Sequence, residues 1–251
     1  MNAIVLHSPE AVAEAVAQEW VDVLVAKPHA VICMASGNSP KLACSAFVRL
    51  AAEQKVDVSE FFFVGLDEWV GVDPGARGSC RSDFQERIFG PLDVPADRYH
   101  LFNGMAVDLE EECRLMDAII AEKGGIDLMI VGIGMNGHIG FNEPGTSFGL
   151  LCHVRRLDES TSQVGQQYFD QAMTLEHGIT LGPAHILASR RLLLVAQGAA
   201  KADVIRRALE GPIGPAFPAS MIQSHADAAV IVDGLAGQLL RKDDSEHRVG
   251  E

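Results

Sequence analysis

Short apolar runs that alternate with longer stretches of helical spacing constrain the fold of this chain more than any other feature. Each run is continuously apolar, which is typical of strands in a parallel sheet that helices cover on both faces. The pattern predicts an α/β fold with a doubly wound, mostly parallel sheet and helices on both faces. The predicted strands are 2–6, 30–35, 61–66, 126–133, 191–197 and 228–233, and the predicted helices are 9–26, about 40–53, 108–123 and 199–210.

Two segments depart from this rhythm. Residues 146–190 have mixed polar content and short periodic pieces, and we interpret them as a helical insertion that forms a lid over one edge of the sheet. Residues 241–251 are charged and are expected to form a frayed tail. No linker, repeat or low-complexity tract divides the rest, so residues 1–240 are expected to form a single domain.

The charge balance narrows the possible partners. Lysine and arginine total 20 against 34 acidic residues, which gives a formal net charge of -14 over 251 residues. Such an excess of acid argues against nucleic acid and anionic membranes as partners. It does not exclude a small anionic substrate, because a few local donors can outweigh the global field.

The cysteines and the N-terminus indicate a cytoplasmic location. The five cysteines are widely spaced and include no C-x-x-C pair, so we expect neither a disulfide framework nor a zinc site. The N-terminus lacks the pattern of a signal peptide, and no run of 18 apolar residues could span a membrane.

The loop "GIGMNGHIGFNEPG" at 132–145 has the glycine spacing of a dinucleotide-binding loop. That site needs a helix directly after the glycines, so that the helix N-terminus faces the pyrophosphate. Pro144 and Gly145 would end such a helix almost at once. We therefore expect no dinucleotide, and neither a metal nor any other cofactor is predicted.

The same loop carries polar residues just past a buried strand. Open α/β sheets bind their ligands at this edge. A histidine with a carboxylate five residues further on favours acid–base chemistry over an ordinary loop. The polar residues are Asn136, His138, Asn142 and Glu143.

The turn after the strand at 30–35 predicts an anion site. Ser36, Gly37, Asn38 and Ser39 precede a helical pattern, with Ser39 as the expected N-cap and Pro40 as the first helical residue. The amides and dipole at such a helix start favour phosphate, although a simple strand-to-helix turn would read the same way.

Two acids, Asp67 and Glu68, follow the strand at 61–66. An acid at the mouth of a buried strand must find partners or a function. One interpretation is a proton-transfer carboxylate whose neighbour orients it or satisfies the backbone. The other is a helix cap or a surface pair.

Five segments together resemble hexosamine-6-phosphate deaminases, the enzymes of glucosamine 6-phosphate and galactosamine 6-phosphate. The resemblance runs from about residue 8 to residue 233. The segment "KGGIDLMIVGIGMNGHIGFNEPG", followed by "CHVRRLD", is most similar to the galactosamine branch. The wider superfamily also holds 6-phosphogluconolactonases and the sugar-sensing domains of some repressors. The segments are "MASGNSP", "GLDEW", "GIGMNGHIGFNEPG", "GITLG" and "GAAKADVIRRALEG".

This resemblance implies a cofactor-free reaction that turns an amino sugar 6-phosphate into a ketose 6-phosphate and ammonia. It implies that Asp67 moves a proton from C2 to C1, that His138 assists ring opening, and that Glu143 pairs with His138. Ser36 to Ser39 match the phosphate cradle and Lys201 matches its lysine. Glu68 is included among the substrate-binding residues.

Two positions depart from the family pattern. Asn136, included among the catalytic residues, stands where many members have aspartate. Gln167 stands where well-known glucosamine enzymes have a phosphate-binding arginine, and Arg155 or Arg156 is a candidate replacement.

Other functions stay open at this point. A lactonase would use the same histidine loop to activate water but would not need the acid pair. A non-catalytic sugar-phosphate sensor would usually carry a DNA-binding helix-turn-helix, for which this chain has no room. The overall resemblance leans slightly towards galactosamine, and a homo-oligomer is possible.

Overall fold

A seven-stranded parallel sheet forms the centre of this computed structural model, which describes residues 2–241 apart from the side chains of Asn38 and Ser39. The strands are β1 (Ala3–Leu6), β2 (Val31–Met34), β3 (Phe62–Gly65), β4 (Asp67–Trp69), β5 (Tyr99–His100), β6 (Leu128–Val131), β7 (His153–Arg156), β8 (His177–Thr180), β9 (Arg191–Ala196) and β10 (Ala228–Asp233). The large sheet has the order β1-β10-β9-β6-β2-β3-β5, and each of its neighbouring strands pairs in parallel. All six predicted strands belong to it.

Seven α-helices surround the strands. They are α1 (Pro9–Ala26), α2 (Asn38–Glu53), α3 (Cys80–Phe84), α4 (Leu109–Glu122), α5 (Glu159–Gly165), α6 (Pro183–Ala188) and α7 (Ala202–Glu210). A π-helical turn covers Gln85–Phe89, and 3₁₀ turns cover Ala96–Arg98, Gln166–Tyr168, Ala199–Lys201 and Pro218–Ser224. Within the described residues, no helix combines the length and the apolarity needed to cross a membrane.

The two faces of the sheet have separate hydrophobic cores, which explains why its strands are continuously apolar. In β2, Ile32 faces one core together with α1 and α2, whereas Cys33 faces the other together with α4 and α7. Trp20 of α1 stacks on Phe47 of α2, with 3.8 Å between ring centres. Helices on both faces confirm the predicted doubly wound α/β fold.

A second sheet of three antiparallel strands, in the order β4-β8-β7, includes part of the segment 146–190. The prediction of a helical insertion is therefore right only in part, because β7 and β8 lie in this segment beside α5 and α6. The side chains of β7 are partly or fully exposed. Such a strand shows no continuous apolar run, so sequence reasoning missed it.

The shortest of the connections between the two sheets is a single residue, Leu66, which separates β3 from β4. Its amide donates to the carbonyl of Met34 in the large sheet, at 3.2 Å. Its carbonyl accepts the amide of Leu181, directly after β8, at 2.8 Å. Asp67 therefore stands at the junction of the two sheets.

Candidate active site

A cavity of about 720 Å³ opens at the carboxyl ends of four adjacent strands, β9, β6, β2 and β3. Pockets of this size hold small-molecule ligands, and open α/β sheets place them at this edge. The structure brings five of the ten predicted site residues to its wall. These are Ser36, Gly37, Asp67, His138 and Lys201.

The predicted anion cradle lies at the N-terminus of α2. The helix begins at Asn38, with Gly37 as its N-cap, so the prediction of Ser39 as the cap and Pro40 as the first residue is wrong. Gly37 has φ 113, which glycine adopts without the strain that a Cβ would bring. Pro40 then lies within the first turn, where proline is tolerated because no intrahelical donor is lost. The predicted roles of the Asn38 and Ser39 side chains fall outside the described residues.

Lys201 brings positive charge to the cavity from the 3₁₀ turn that follows β9. Its Nζ donates to the carbonyl of Ile133 at 2.6 Å, which holds the ammonium group beside the histidine loop. Burial lowers the pKa of Lys201, because desolvation disfavours the charged form. An anion bound in the cavity would favour the charged form of Lys201 and so oppose this lowering of its pKa.

Asp67 is half-buried in the cavity wall. Burial, and to a smaller extent the charge of Glu68, raise the pKa of Asp67 to about 7. The Sγ of Cys80 lies 3.7 Å from its Oδ1, and Ser36 Oγ in turn donates to that sulfur at 2.9 Å. A carboxylate with a pKa near neutrality is well matched to both take up and return a proton.

Glu68 points away from the cavity and is not among its described lining residues. Its side chain is only 2 % exposed, and both carboxylate oxygens accept backbone amides. The donors are Trp69, Cys80 and Arg81, at 2.9, 3.0 and 3.0 Å. Glu68 thus holds the start of α3 beside Asp67, and the geometry does not support the prediction that it contacts substrate.

His138, Asn136 and Glu143 form a hydrogen-bonded chain. The Nδ1 of His138 lies 2.8 Å from Asn136 Oδ1, and Asn136 Nδ2 donates to Glu143 Oε2 at 2.7 Å. His138 and Glu143 are 3.7 Å apart, so the predicted direct pair is replaced by an indirect one through Asn136. Glu143 also accepts the amide of Asp158, at 3.2 Å.

This chain fixes the chemistry of the imidazole. An amide oxygen accepts only, so Asn136 Oδ1 places the proton on Nδ1 and leaves Nε2 as an acceptor. Burial lowers the pKa of His138, and the positive charge of Lys201 acts in the same direction against the opposing charge of Glu143. His138 is therefore a neutral base at neutral pH.

Two glycines of this loop allow aromatic side chains to pack closely against the backbone. A Cβ on Gly134 would lie 2.2 Å from the His138 ring, and one on Gly137 would lie 2.3 Å from the Phe217 ring, whereas one on Gly132 would meet nothing within 4 Å. Asn142, also in the loop, is fully buried, and its Nδ2 donates to the carbonyls of Ile139 and Leu181. Of the G-x-G-x-x-G spacing, Gly134 is therefore the glycine that the imidazole requires.

The candidate replacements for the phosphate arginine are not in the cavity. Gln167 lines the wall, whereas Arg155 and Arg156 are not among the described lining residues. The Nη2 of Arg155 instead donates to the carbonyl of Pro144 at 3.3 Å.

Sequence reasoning missed three cations that line the cavity, Lys41, Arg77 and Arg87. Arg77 pairs with Asp170 and Arg87 pairs with Asp83. Lys41 follows the cradle directly in sequence, and no ion pair is found for it in the part of the chain that the structure describes. Its Nζ lies 5.5 Å from the centre of the Tyr168 ring. Its position in the first turn of α2 was the signal that could have revealed it.

Fold and cavity together define an α/β protein whose cavity brings the N-terminus of α2 and a lysine together with a carboxyl group and an imidazole. The chain belongs to the family of glucosamine-6-phosphate isomerases/6-phosphogluconolactonase, whose model matches residues 7–231.

Individual relatives within this family cover nearly the whole chain. A glucosamine-6-phosphate deaminase of Bacillus pumilus (strain SAFR-032) is 40% identical over 95% of this chain and 100% of its own length. Glucosamine-6-phosphate deaminase 1 of Bacillus subtilis (strain 168) is 35% identical over 95% of this chain and 99% of its own.

Solved structures agree with this placement. A monomeric glucosamine-6-phosphate deaminase superposes with a TM-score of 0.92 at 35% identity, over 95% of this chain and 100% of its own. The 6-phosphogluconolactonase of Trypanosoma brucei has a TM-score of 0.77 at 19% identity, over 96% of this chain and 99% of its own. The second similarity shows a shared fold only.

Proposed function

We propose that this chain deaminates and isomerises an amino sugar 6-phosphate to a ketose 6-phosphate and ammonia. The observation that carries the proposal is the placement of Asp67, with its pKa of about 7, in one cavity with an anion cradle and a neutral histidine. The glucosamine-6-phosphate deaminases among its relatives support the same reaction.

Phosphate binding uses the start of α2. The free amides at this helix N-terminus and the ammonium group of Lys201 lie at the cavity wall, where they suit a phosphate group. Lys41 adds a second positive charge at the same helix end. Lys201 and Lys41 would thus take the role of the phosphate-binding arginine, at whose position this chain has Gln167.

Ring opening uses His138. Its Nε2 accepts the proton of the anomeric hydroxyl and delivers a proton to the ring oxygen, so that the C1–O5 bond breaks and an aldehyde forms. Asn136 and Glu143 hold the imidazole in the required tautomer throughout. Because an amide does not relay protons, Glu143 acts here as a positioning residue.

Isomerisation uses Asp67. The carboxylate removes the C2 proton while the aldehyde oxygen takes up a proton from the ammonium group of the substrate itself, which gives an enolamine. The resulting carboxylic acid then returns its proton to C1. The product is an imine at C2. Water adds to this carbon and ammonia leaves, which yields the 2-keto sugar without any oxidant or reductant.

The decisive experiment measures ammonia and ketose phosphate after the purified protein is incubated with each candidate substrate and no added cofactor. Glucosamine 6-phosphate, galactosamine 6-phosphate and 6-phosphogluconolactone are compared at equal concentration. We expect turnover of an amino sugar, with glucosamine 6-phosphate favoured by the named relatives and galactosamine 6-phosphate by the loop resemblance. Hydrolysis of the lactone alone would overturn the proposal.

We further propose a cytoplasmic monomer. All five cysteines are free, as suits a reducing compartment, and the deaminase with the TM-score of 0.92 is described as monomeric. Gel filtration with light scattering tests the monomer.

Replacing Lys41 with glutamine is expected to raise KM about 10–100-fold with little change in kcat. A charge-assisted hydrogen bond contributes about 1.5–3 kcal/mol, and phosphate contacts act equally on substrate and transition state. Arg77→Gln is the matched control, since Arg77 lines the same cavity but is already paired with Asp170. Equal KM changes in the two variants would remove Lys41 from phosphate binding.

Asp67→Asn is expected to stabilise the fold more at pH 8 than at pH 5. The raised pKa of Asp67 means that the folded state binds more protons than the unfolded state between about pH 4 and pH 7. Stability from this group is complete below the unfolded pKa and is lost as pH rises through the folded pKa. The variant lacks this loss, so the difference between the two pH values should be on the order of 2 kcal/mol.

Urea unfolding of both proteins at the two pH values measures this difference. Asp97→Asn, at an exposed position in a 3₁₀ turn, is the control and should show no such dependence. A pH-independent effect of Asp67→Asn would mean that its pKa is not raised.

A further inference from the structure

A cluster of three metal-ligating side chains lies outside the cavity lining. Asp117 comes from α4, Cys152 from the loop before β7, and His185 from α6. Their oxygen, sulfur and nitrogen atoms all lie within 4.8 Å of one another. The spacing of the cysteines predicted no zinc site, because these ligands are far apart in sequence and only the fold brings them together.

We propose that Asp117, Cys152 and His185 bind a divalent transition metal ion of the zinc class. Zinc takes thiolate, imidazole and carboxylate ligands in tetrahedral sites at about 2.0–2.3 Å, which places ligand atoms about 3.5 Å apart. To reach this spacing, the widest pair of the cluster needs to contract by about 1.3 Å at most, and His185 and Asp117, now 2.7 Å apart, need to separate by about 0.8 Å. A site with one soft, one borderline and one hard ligand excludes calcium and magnesium, which prefer oxygen alone.

The surroundings of the cluster suit an ion. The backbone amide of Cys152 donates to Asp117 Oδ1 at 3.1 Å, which orients the carboxylate as outer ligands do in zinc sites. His185 and Asp117 are partly exposed, with 10% and 24% of their side chains accessible, so an ion can enter from solvent.

Water would supply the fourth ligand of this site. Cys113 lies one turn before Asp117 on α4, and residues four apart on a helix share one face. Its thiol is buried, but it does not belong to the group of atoms that lie within 4.8 Å of one another. With three protein ligands, the fourth tetrahedral position would be taken by water.

The proton balance of binding is simple. His185 Nε2 and Asp117 Oδ1 are now 2.7 Å apart, which is hydrogen-bond distance. On binding, the Cys152 thiol releases its proton to solvent, and the imidazole proton exchanges through solvent to Nδ1 so that Nε2 can ligate. No electron transfer is involved, and the aspartate and thiolate charges neutralise the ion.

Cobalt substitution tests the site directly. The purified protein is stripped with a chelator and titrated with Co²⁺, and absorbance from thiolate-to-cobalt charge transfer is recorded, followed by competition with Zn²⁺. We expect a saturable tetrahedral spectrum that Zn²⁺ abolishes. Cys152→Ser should weaken zinc binding by at least about 100-fold, since loss of an outer partner alone costs about 10–100-fold. Cys44→Ala, which removes a buried thiol from α2, is the control and should bind normally.

Asp117→Asn and His185→Gln provide tests that keep side-chain volume, in case Cys152→Ser does not fold. Each should lose the cobalt spectrum while thermal unfolding without metal stays cooperative. A spectrum without thiolate bands, or one that persists unchanged in the Cys152 variant, would show that the three residues form a hydrogen-bonded cluster only. The readout does not depend on the proposed enzymatic activity.

Discussion

Asp67→Asn should lower kcat for the amino sugar phosphate by about 10³-fold or more, because a general base contributes about 10²–10⁴-fold and here serves both proton transfers. The variant keeps the size of the side chain and one of its two acceptor oxygens but does not accept a proton from C2. Incubation in deuterated water, with mass spectrometry of recovered substrate, should show that exchange of the C2 hydrogen has stopped. KM should change little, because Asp67 is not assigned to phosphate binding.

Two controls sharpen this result. Asp83→Asn alters another acid of the same cavity wall, one that pairs with Arg87, and should retain C2 exchange. In the unmodified protein, kcat/KM should fall tenfold per pH unit below about pH 7, as the carboxylate becomes protonated. Rapid exchange in the Asp67 variant would assign the base to another group.

His138→Gln should slow turnover of the cyclic sugar by about 10²-fold or more and act far less on an open-chain analogue with a free aldehyde. Glutamine fills much of the space of the imidazole but neither accepts nor donates a proton for ring opening. Steady-state rates on the two compounds separate this step from the isomerisation that follows.

Asn136→Asp is the matched variant for the histidine. The carboxylate would still accept the Nδ1 proton, but it would lie 2.7 Å from Glu143 at the place of the present amide. Repulsion between the two acids should keep one of them protonated, so we expect activity to persist with a shifted pH profile. Equal losses on cyclic and open-chain compounds for His138→Gln would contradict a role in ring opening.

The sequence was sufficient to predict the parallel sheet and its main helices. Their apolar patterns extend over enough residues to be recognised without knowledge of the tertiary contacts. The helix predicted at 9–26 spans Pro9–Ala26, and the strand predicted at 228–233 spans Ala228–Asp233. Among the described residues, the missed strands are β4, β5, β7 and β8. They have two to four residues, too few for a period to show, and each of them contains polar or partly exposed positions.

The sequence predicted which residues lie near the cavity but not which atoms their side chains contact. Strand ends located Asp67, His138 and the start of α2, since all ligands of an open sheet gather there. Which of two adjacent acids enters the cavity was not readable, because Asp67 and Glu68 lie on opposite faces of β4. Two features depend on side-chain directions that no local pattern encodes. They are the position of Asn136 between His138 and Glu143, and the position of Lys41 in the cavity wall.

The backbone of Leu66 affects how precisely the cavity can hold a bound sugar. The proposed phosphate site at the start of α2 follows a strand of the seven-stranded sheet. Asp67, the proposed proton-transfer acid, is the first residue of β4 in the three-stranded sheet. A bound sugar would therefore bridge two layers that could drift apart. Leu66 is a single residue whose amide is bonded to the seven-stranded sheet and whose carbonyl is bonded to the residue after β8. The distance between the phosphate site and Asp67 is therefore set by the backbone itself. Lengthening the chain here by even one residue would turn the acid to the opposite side.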